Sequence, residues 1–349
     1  MQQKWIALNH EGFPHHTEHL APIAKLFEMP LIVTDEDAAA LFRHYYPGLQ
    51  VEVIPRSELT TDFLKEHCSL IATSHDPDRE KFHALFGEEM TQLFVPHGFS
   101  DKAYWMTQSA LSDICLLYGE QMLTLIQNSP LASSLQKTVR MGNLRYHDYL
   151  QNKEVYDQIT KKELPLDPSK KTLLYAPTWT WNEEHSRTSF FDAAEILLKN
   201  LPSDCQLIVK LHPHLKLNNI AHVERIIALY EEEENIHFLE EFPLIYPLLD
   251  LTDIYIGDLS SIGYDFLVYD RPLFFLNHQR RDPEKDPDVF LFRAGRSLLP
   301  EEFSKIYQLI GEEEDPSLSQ KRKELYKFTF DEIDPEEVKK EILAAVQKS

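Results

Sequence analysis

The sequence predicts an α/β fold of two doubly wound, Rossmann-like domains that face one another across a cleft. Short apolar runs alternate with longer amphipathic segments along most of the 349-residue chain, which is typical of parallel strands joined by helical crossovers. A polar stretch at 146–171 interrupts this alternation once, and a second series of strands and helices follows it. The chain is long enough for two domains of ordinary size.

The first series predicts an N-terminal domain over residues 1–145. Its strands are indicated by the apolar runs WIALN, PLIVT, VEVI, SLIAT, QLFVP and ICLLY. Helices are predicted between them. The segment 17–27 carries Leu20, Ile23 and Phe27 at helical spacing, and the segment 35–46 begins with acidic residues that suit the first turn of a helix.

The second series predicts a C-terminal domain over residues 172–325. Its strands are indicated by TLLYAP, CQLIVKLHP, NIHFLE, DIYIGD and PLFFLN. Between the domains, 146–171 is predicted as a connector that begins with one polar helix and ends in a proline-containing basic stretch. The chain closes with 326–349, a predicted C-terminal helix for which packing back on the first domain is one open arrangement.

The charge of the chain excludes some partners. Its formal net charge is −22, whereas a nucleic-acid-binding surface needs a basic patch to displace counterions from phosphates. The same charge argues against a basic helix that docks on anionic lipid. We therefore expect no nucleic-acid partner and at most a peripheral association with membranes.

The cysteines and the apolar runs predict a cytoplasmic protein. Cys68, Cys115 and Cys205 lie singly in apolar contexts, with no CxxC pair, so they are interpreted as core residues in a reducing compartment. The first residues lack the pattern of a secretory signal. No apolar run approaches the eighteen or so residues of a membrane-spanning helix.

The candidate site residues follow predicted strands, because ligands of such sheets bind outside the carboxyl ends of the strands. GDLSSIGYDF follows one strand and contains Asp258, Ser260 and Ser261. Serine hydroxyls and free backbone N–H groups at the start of a helix suit a phosphate or diphosphate, although plain helix capping explains the serines equally well. Thr178 follows another strand, within APTW.

A second strand end, KLHPH, supplies a cation and an imidazole. Lys210 and His212 would lie on one face if the strand continued, and together they fit a diphosphate that leaves with negative charge. A solvent-exposed strand end with incidental histidines is the alternative. Zinc is a weaker alternative, because no cysteine and no third ligand stand at a suitable spacing.

Histidines are also concentrated in the predicted first domain. His97 precedes Gly98 at a sharp turn, where a neutral imidazole could accept a proton from an acceptor hydroxyl, or could simply complete the turn. His10 and His16 belong to a histidine-rich loop after the first strand and are predicted to line the acceptor side, although a polar loop without a ligand explains them equally well. No P-loop, GxGxxG or GxSxG motif is present in the sequence.

Four ordered motifs resemble the CDP-glycerol glycerophosphotransferase family of teichoic-acid and capsule biosynthesis. They are the HG-x-x-x-K segment from His97 to Lys102, LYAPTW at 174–179, K-x-HP at 210–213, and D-x-SS-x-x-x-DF at 258–266. MGNLRYHDYL at 141–150 is also similar to the family's Gly-x-x-Arg-x-Asp stretch. The resemblance covers roughly residues 90–280, and the ordered set is more specific than any single motif.

The resemblance implies a GT-B-like fold and a transfer of glycerol phosphate, or a related polyol phosphate, from a CDP-activated donor. An acceptor hydroxyl on a glycan or polyol phosphate would attack the β-phosphorus of CDP-glycerol and release CMP. No cofactor and no bound metal are implied. The implied roles are a general base (His97), a diphosphate contact (His212), donor binding (Thr178, Lys210, Asp258, Ser260 and Ser261) and acceptor contacts (His10, His16 and Lys102).

Three alternatives stay open from the sequence. One is a nucleotide-sugar glycosyltransferase of the GT-B type. Another is a UDP-sugar 2-epimerase, which shares the two-domain architecture but needs no separate acceptor. The third is a non-catalytic GT-B-like module that binds a nucleotide or a glycan. Selectivity for cytidine over uridine nucleotides separates the predicted transferase from the two uridine-dependent enzymes.

Overall fold

A computed structural model describes residues 4–101, 103–179, 188–240 and 242–347, with 103–105 described by their backbone alone. The chain forms two compact units. Unit 1 comprises Met1–Phe99, Ala103–Tyr156 and Lys327–Ser349, and unit 2 comprises Ser100–Lys102 and Asp157–Tyr326.

Unit 1 contains a seven-stranded sheet in the order β3-β2-β1-β4-β5-β6-β7, in which every described pairing is parallel. The strands are β1 Lys4–Leu8, β2 Leu31–Val33, β3 Val51–Val53, β4 Cys68–Thr73, β5 Thr91–Phe94, β6 Ile114–Leu117 and β7 Lys137–Arg140. The helices are α1 Pro14–Leu26, α2 Glu36–Tyr45, α3 Thr61–His67, α4 Arg79–Phe86, α5 Ala103–Gln108, α6 Glu120–Gln127, α7 Leu144–Gln151 and α16 Pro335–Gln347.

In unit 1, successive strands are added first on one side of β1 and then on the other. The chain builds β2 and β3 on one side of β1 and then β4 to β7 on the other side. The topological switch point therefore lies between the neighbouring strands β1 and β4. There, the crossover connections leave toward opposite sides and open a crevice at the carboxyl ends of the strands.

The C-terminal segment of the chain packs within unit 1 against two glycines. A Cβ on Gly119 would lie 2.7 Å from the Thr329 carbonyl oxygen, and one on Gly142 would collide with the Asp331 carbonyl oxygen. Gly142 also has φ +57°, a conformation that side chains disfavour. The Arg140 guanidinium donates to the Asp331 carboxylate at 2.9 Å, so an ion pair joins the same segment to the end of β7.

Unit 2 contains a six-stranded sheet in the order β10-β9-β8-β11-β12-β13, again with parallel pairings. The strands are β8 Lys171–Ala176, β9 Cys205–Lys210, β10 Ile236–Leu239, β11 Ile254–Gly257, β12 Leu273–Leu276 and β13 Arg296–Leu298. The helices are α8 Lys153–Glu163, α9 Phe190–Lys199, α10 Pro213–Asn218, α11 Ile220–Tyr230, α12 Ile245–Asp250, α13 Ser261–Phe266, α14 Ile306–Ile310 and α15 Ser317–Thr329. Two of the boundaries between the units fall within α8 and α15.

The switch point of unit 2 lies between β8 and β11. Strands β9 and β10 extend the sheet on one side of β8, and β11 to β13 extend it on the other. The central strands are apolar and almost wholly buried, as in Leu173, Leu207 and Ile256, each at 0% exposure. Burying such side chains stabilises the sheet by about 1.5–3 kcal/mol each, which fixes the strand ends on which the site depends.

The predicted fold class is confirmed, because the chain contains two parallel-sheet, Rossmann-like units. Two predicted elements were wrong. The single polar helix at 146–162 is two helices, α7 and α8, which separate at Asn152; there, the side-chain amide donates to the Asp148 carbonyl at 2.9 Å and helps to end α7. The strand predicted to run to 213 ends at Lys210, because α10 begins at Pro213.

Other predictions concern burial and membranes. All three cysteines are buried and unpaired, as expected for core residues. In the described parts of the chain, no helix combines the length and the apolar character that a bilayer crossing requires.

Candidate active site

His97 lies just beyond β5, at the carboxyl end of the unit 1 sheet. Its Nδ1 is 3.1 Å from the Ser74 carbonyl oxygen. A carbonyl only accepts hydrogen bonds, so Nδ1 carries the proton and Nε2 carries the lone pair. Burial is the largest influence on this imidazole and lowers its pKa, which keeps the ring neutral at physiological pH. The ring is therefore suited to act as a base through Nε2.

A buried tyrosine holds the turn that carries His97. The Tyr118 hydroxyl, at the end of β6, donates to the Pro96 carbonyl at 2.7 Å and accepts from the Gly98 N–H at 2.8 Å. The Nδ1 of His19 lies 3.0 Å from the same oxygen and donates to it, since the hydroxyl proton is already engaged. Gly98 itself has φ +104°, which the turn requires and which favours glycine. The backbone on both sides of His97 is thus fixed.

Other histidines surround His97 within unit 1. The ring of His16 lies 4.8 Å from that of His97 and 4.5 Å from that of His15, between centroids. Burial, followed by the neighbouring imidazoles, lowers the pKa of His16 to about 2. His16 therefore stays neutral beside His97, and the cluster brings together two of the histidines that the sequence singled out.

His10 lies in a different part of the same rim. It follows β1, and its ring packs edge-on against that of His75, which follows β4, with centroids 5.3 Å apart. The structure thus gives His10 a ring contact with His75 rather than with His16 or His97 among the described contacts. Lys102, the third predicted acceptor-side residue, lies outside the described residues.

In unit 2, the Asp258 carboxylate joins the segments on both sides of residues 180–187. One oxygen accepts the Thr178 N–H at 2.8 Å, and the other accepts the Ser189 N–H at 2.6 Å and its hydroxyl at 2.8 Å. Asp258 and Thr178 are each 1% exposed. Because three donors occupy its carboxylate, Asp258 fixes the strand end after β8, at the switch point of the sheet.

The two predicted serines begin α13 beside Asp258. Ser260 caps the helix, and its hydroxyl accepts a long hydrogen bond of 3.4 Å from the Ile262 N–H. Ser261 is the first residue of the helix and is half-buried. Thr178 follows β8 and the serines follow β11, so these residues lie at the carboxyl ends of adjacent strands, whose spacing is about 4.8 Å.

Lys210 and His212 are not arranged as the sequence predicted. Lys210 is the last residue of β9, but His212 is outside the strand and caps α10, where its Nδ1 accepts the His214 N–H at 3.2 Å. The condition for both side chains to lie on one strand face, a strand that continues past Lys210, is not met, because Pro213 starts a helix. The indole of Trp179 stacks on His212 with centroids 5.8 Å apart, which places His212 beside the end of β8.

Asp101, next to Lys102, was not recognised from the sequence. It belongs to unit 2, where its carboxylate accepts the Tyr264 hydroxyl and, at 2.9 Å, the Leu291 N–H. Burial raises its pKa to about 6 despite these hydrogen bonds. Because Tyr264 lies in α13, Asp101 supports the helix that Ser261 begins.

The stretch MGNLRYHDYL at 141–150 forms ion pairs inside unit 1. Arg145 pairs with Glu18 at 3.3 Å, and Asp148 pairs with Lys25 at 3.0 Å. Both pairs connect α7 to α1, so this motif supports the fold around the histidine cluster.

Two parallel-sheet units with polar side chains at the carboxyl ends of their strands define an α/β protein of the GT-B-like class. The sequence model of one family, described as CDP-glycerol:poly(glycerophosphate) glycerophosphotransferase, matches residues 121–291. The match spans just under half of the chain, and the resemblance predicted from the motifs is confirmed over these residues.

Curated relatives and a solved structure agree with this assignment. The chain is 31% identical to the teichoic acid glycerol-phosphate primase of Bacillus spizizenii over 122 residues, which are 35% of this chain and 29% of the relative. It is 27% identical to the teichoic acid ribitol-phosphate primase of the same organism over 189 residues, or 52% of this chain and 46% of the relative. The chain thus matches less than half the length of either relative.

The structural similarity extends over almost the whole chain. A variant of the wall teichoic acid polymerase TagF superposes with a TM-score of 0.66 and covers 99% of this chain and 88% of that chain, at 13% sequence identity. At this identity, the match supports the fold and not the activity.

Proposed function

We propose that the protein transfers glycerol phosphate, or a related polyol phosphate, from a CDP-activated donor to an acceptor hydroxyl. The family match supports this reaction class, and the curated relatives are named for glycerol-phosphate and ribitol-phosphate chemistry. In this proposal the donor is CDP-glycerol or its ribitol counterpart, and the acceptor is a teichoic-acid-like glycan or polyol phosphate.

The observation that carries the proposal is the protonation pattern of His97. Its Nδ1–H donates to Ser74, its pKa is lowered, and its Nε2 lone pair is left as the base. A neutral, oriented imidazole of this kind can accept the proton of an attacking hydroxyl without first having to lose one of its own.

In the reaction proposed here, the acceptor oxygen forms a bond to the β-phosphorus of the donor. The bond between that phosphorus and the bridging oxygen breaks, and CMP leaves with the electron pair. The acceptor proton moves to Nε2 of His97. Phosphoryl transfer depends mainly on positioning and on neutralising charge, so the chain need not form a covalent intermediate.

We assign donor binding to the strand ends of unit 2. Ser260 and Ser261 offer hydroxyls at the start of α13, Lys210 supplies a cation at the end of β9, and His212 supplies an imidazole at the start of α10. Asp258 acts indirectly in this assignment, because its carboxylate orients the Thr178 backbone.

The cellular setting is part of the proposal. We propose a cytoplasmic enzyme that uses a nucleotide-activated donor and associates with membranes at most peripherally. All three cysteines are buried free thiols, which is compatible with a reducing compartment.

The proposal is tested by replacing the base. His97→Ala should lower the rate of CMP release at saturating donor by about 10²–10⁴-fold, the usual contribution of a general base, while donor affinity stays nearly unchanged. His67→Ala is the matched control, because His67 is an exposed histidine of unit 1 at the opposite end of the sheet. A His97→Ala variant that keeps its rate but loses donor affinity would show that His97 is not the base.

A further inference from the structure

Three side chains at the switch point of unit 1 are arranged like the ligands of a metal ion. They are His10 and Glu11 after β1 and His75 after β4. One ligand atom from each lies within 4.8 Å of the others, and the Glu11 carboxylate lies 3.4 Å from Nδ1 of His75. Two ligands at ~2.1 Å from a tetrahedral zinc ion are about 3.4 Å apart, so this pair already has the required separation.

The backbone around these side chains is held in place. The Thr34 hydroxyl donates to the His10 carbonyl at 3.0 Å, and the Asn9 amide donates to the Phe13 carbonyl at 2.8 Å. Gly12, directly after Glu11, has φ +71° and closes the turn through a hydrogen bond to the Asn9 carbonyl.

The other loop is fixed as well. The His75 N–H donates to the Thr73 hydroxyl at 3.1 Å, at the very end of β4. Because β1 and β4 are hydrogen-bonded neighbours, the sheet sets the distance between the two loops. Only side-chain rotations are then needed to bring the three ligand atoms around one ion, which lowers the entropy cost of binding.

We propose that His10, Glu11 and His75 bind one divalent transition-metal ion, for which Zn²⁺ is the best match. Two imidazoles and one carboxylate are a ligand set that zinc accepts in open sites. The three groups fill three positions and leave a fourth for water or for an oxygen of an anionic ligand. The sequence predicted no metal, because its zinc argument considered only the histidines near 212.

The charge of Glu11 agrees with this site. Its carboxylate supplies the negative charge that favours a divalent cation. The proposed site does not depend on the proposed transfer reaction.

Calorimetric titration of the full, chelator-treated chain with ZnCl₂ tests the proposal. The expected result is one ion bound per chain, with affinity reduced about tenfold or more in both His75→Ala and Glu11→Gln. These side chains are partly exposed, so both variants should fold, and their thermal unfolding without metal should match that of the unmodified chain.

The control is His67→Ala, because His67 directly precedes β4 whereas His75 follows it. Its zinc affinity should equal that of the unmodified chain. The proposal is overturned if the unmodified chain shows no saturable zinc binding. It is equally overturned if binding survives unchanged in His75→Ala and Glu11→Gln, or if His67→Ala weakens binding as much as His75→Ala does.

Discussion

Removing the Tyr118 hydroxyl should loosen the turn that carries His97. Tyr118→Phe removes a hydroxyl that is hydrogen-bonded to the Pro96 carbonyl, the Gly98 N–H and the His19 ring. All three contacts are buried, so water does not replace the missing partner. Leaving a buried polar group unpaired costs about 1–3 kcal/mol.

The three costs overlap, because the turn can relax and re-pair some of these groups. We therefore expect Tyr118→Phe to lower the free energy of unfolding of unit 1 by roughly 2–4 kcal/mol. The reaction should also slow at saturating donor, since Nε2 of His97 is no longer held in one position, while donor affinity stays unchanged.

Tyr46→Phe is a matched control in the same unit. Tyr46 is 3% exposed and Tyr118 is 2% exposed, so the two rings are equally buried. Among the described residues, the Tyr46 hydroxyl has no hydrogen-bond partner. Removing a hydroxyl that lacks a partner should be neutral or slightly stabilising.

The assay is urea unfolding combined with hydrogen exchange at the Gly98 amide. We expect a lower midpoint at unchanged slope and faster exchange at Gly98 in Tyr118→Phe, with neither change in Tyr46→Phe. Equal midpoints for the two variants, together with unchanged protection of Gly98, would refute the assignment of Tyr118 as the residue that holds the turn.

Two further predictions concern unit 2. Asp258→Asn should destabilise unit 2 by about 1.5–3 kcal/mol, because the new amide nitrogen would face a backbone N–H that now donates to the carboxylate. The affinity for the CDP-activated substrate, measured by titration, should fall as well. An unchanged melting temperature would contradict this role of Asp258. Burial raises the pKa of Asp101 to about 6 in the folded state, above its value in the unfolded chain. The protonated carboxyl therefore favours folding, and the stability that it contributes is complete at low pH and is lost as the pH rises through 6. Asp101→Asn should remove roughly 2–3 kcal/mol of that pH dependence between pH 4 and 7, and unfolding curves with the same pH dependence in both proteins would argue against it.

The alternation of apolar and amphipathic segments predicted the two sheets because it follows from local periodicity. The residues that shape the site were harder to find. Tyr118 and His19 are 99 positions apart, and Ser189 and Asp258 are 69 apart, so no local pattern links them. The sequence offered one signal for the role of Tyr118, because this tyrosine ends the apolar run ICLLY and a buried hydroxyl needs a hydrogen-bond partner.

The error at His212 had a local signal. Proline is favoured in the first turn of a helix, so the His-Pro pair at 212–213 indicated a helix start and not a continuing strand. His75 was missed for a different reason. Only the pairing of β1 with β4 brings it to His10 and Glu11, and that pairing joins strands that are distant in sequence.

The measurement that tests the central claim most directly is thermal unfolding of the chain with CDP-glycerol, CDP, CMP, UDP, UDP-GlcNAc and GDP. A ligand at ~100 times its dissociation constant stabilises the folded state by about 2.7 kcal/mol, which raises the melting temperature by several degrees. We predict a rise with the cytidine nucleotides, largest with CDP-glycerol, and none with the others. A rise confined to the uridine nucleotides, or no rise with any nucleotide, would contradict the proposed CDP-dependent transfer.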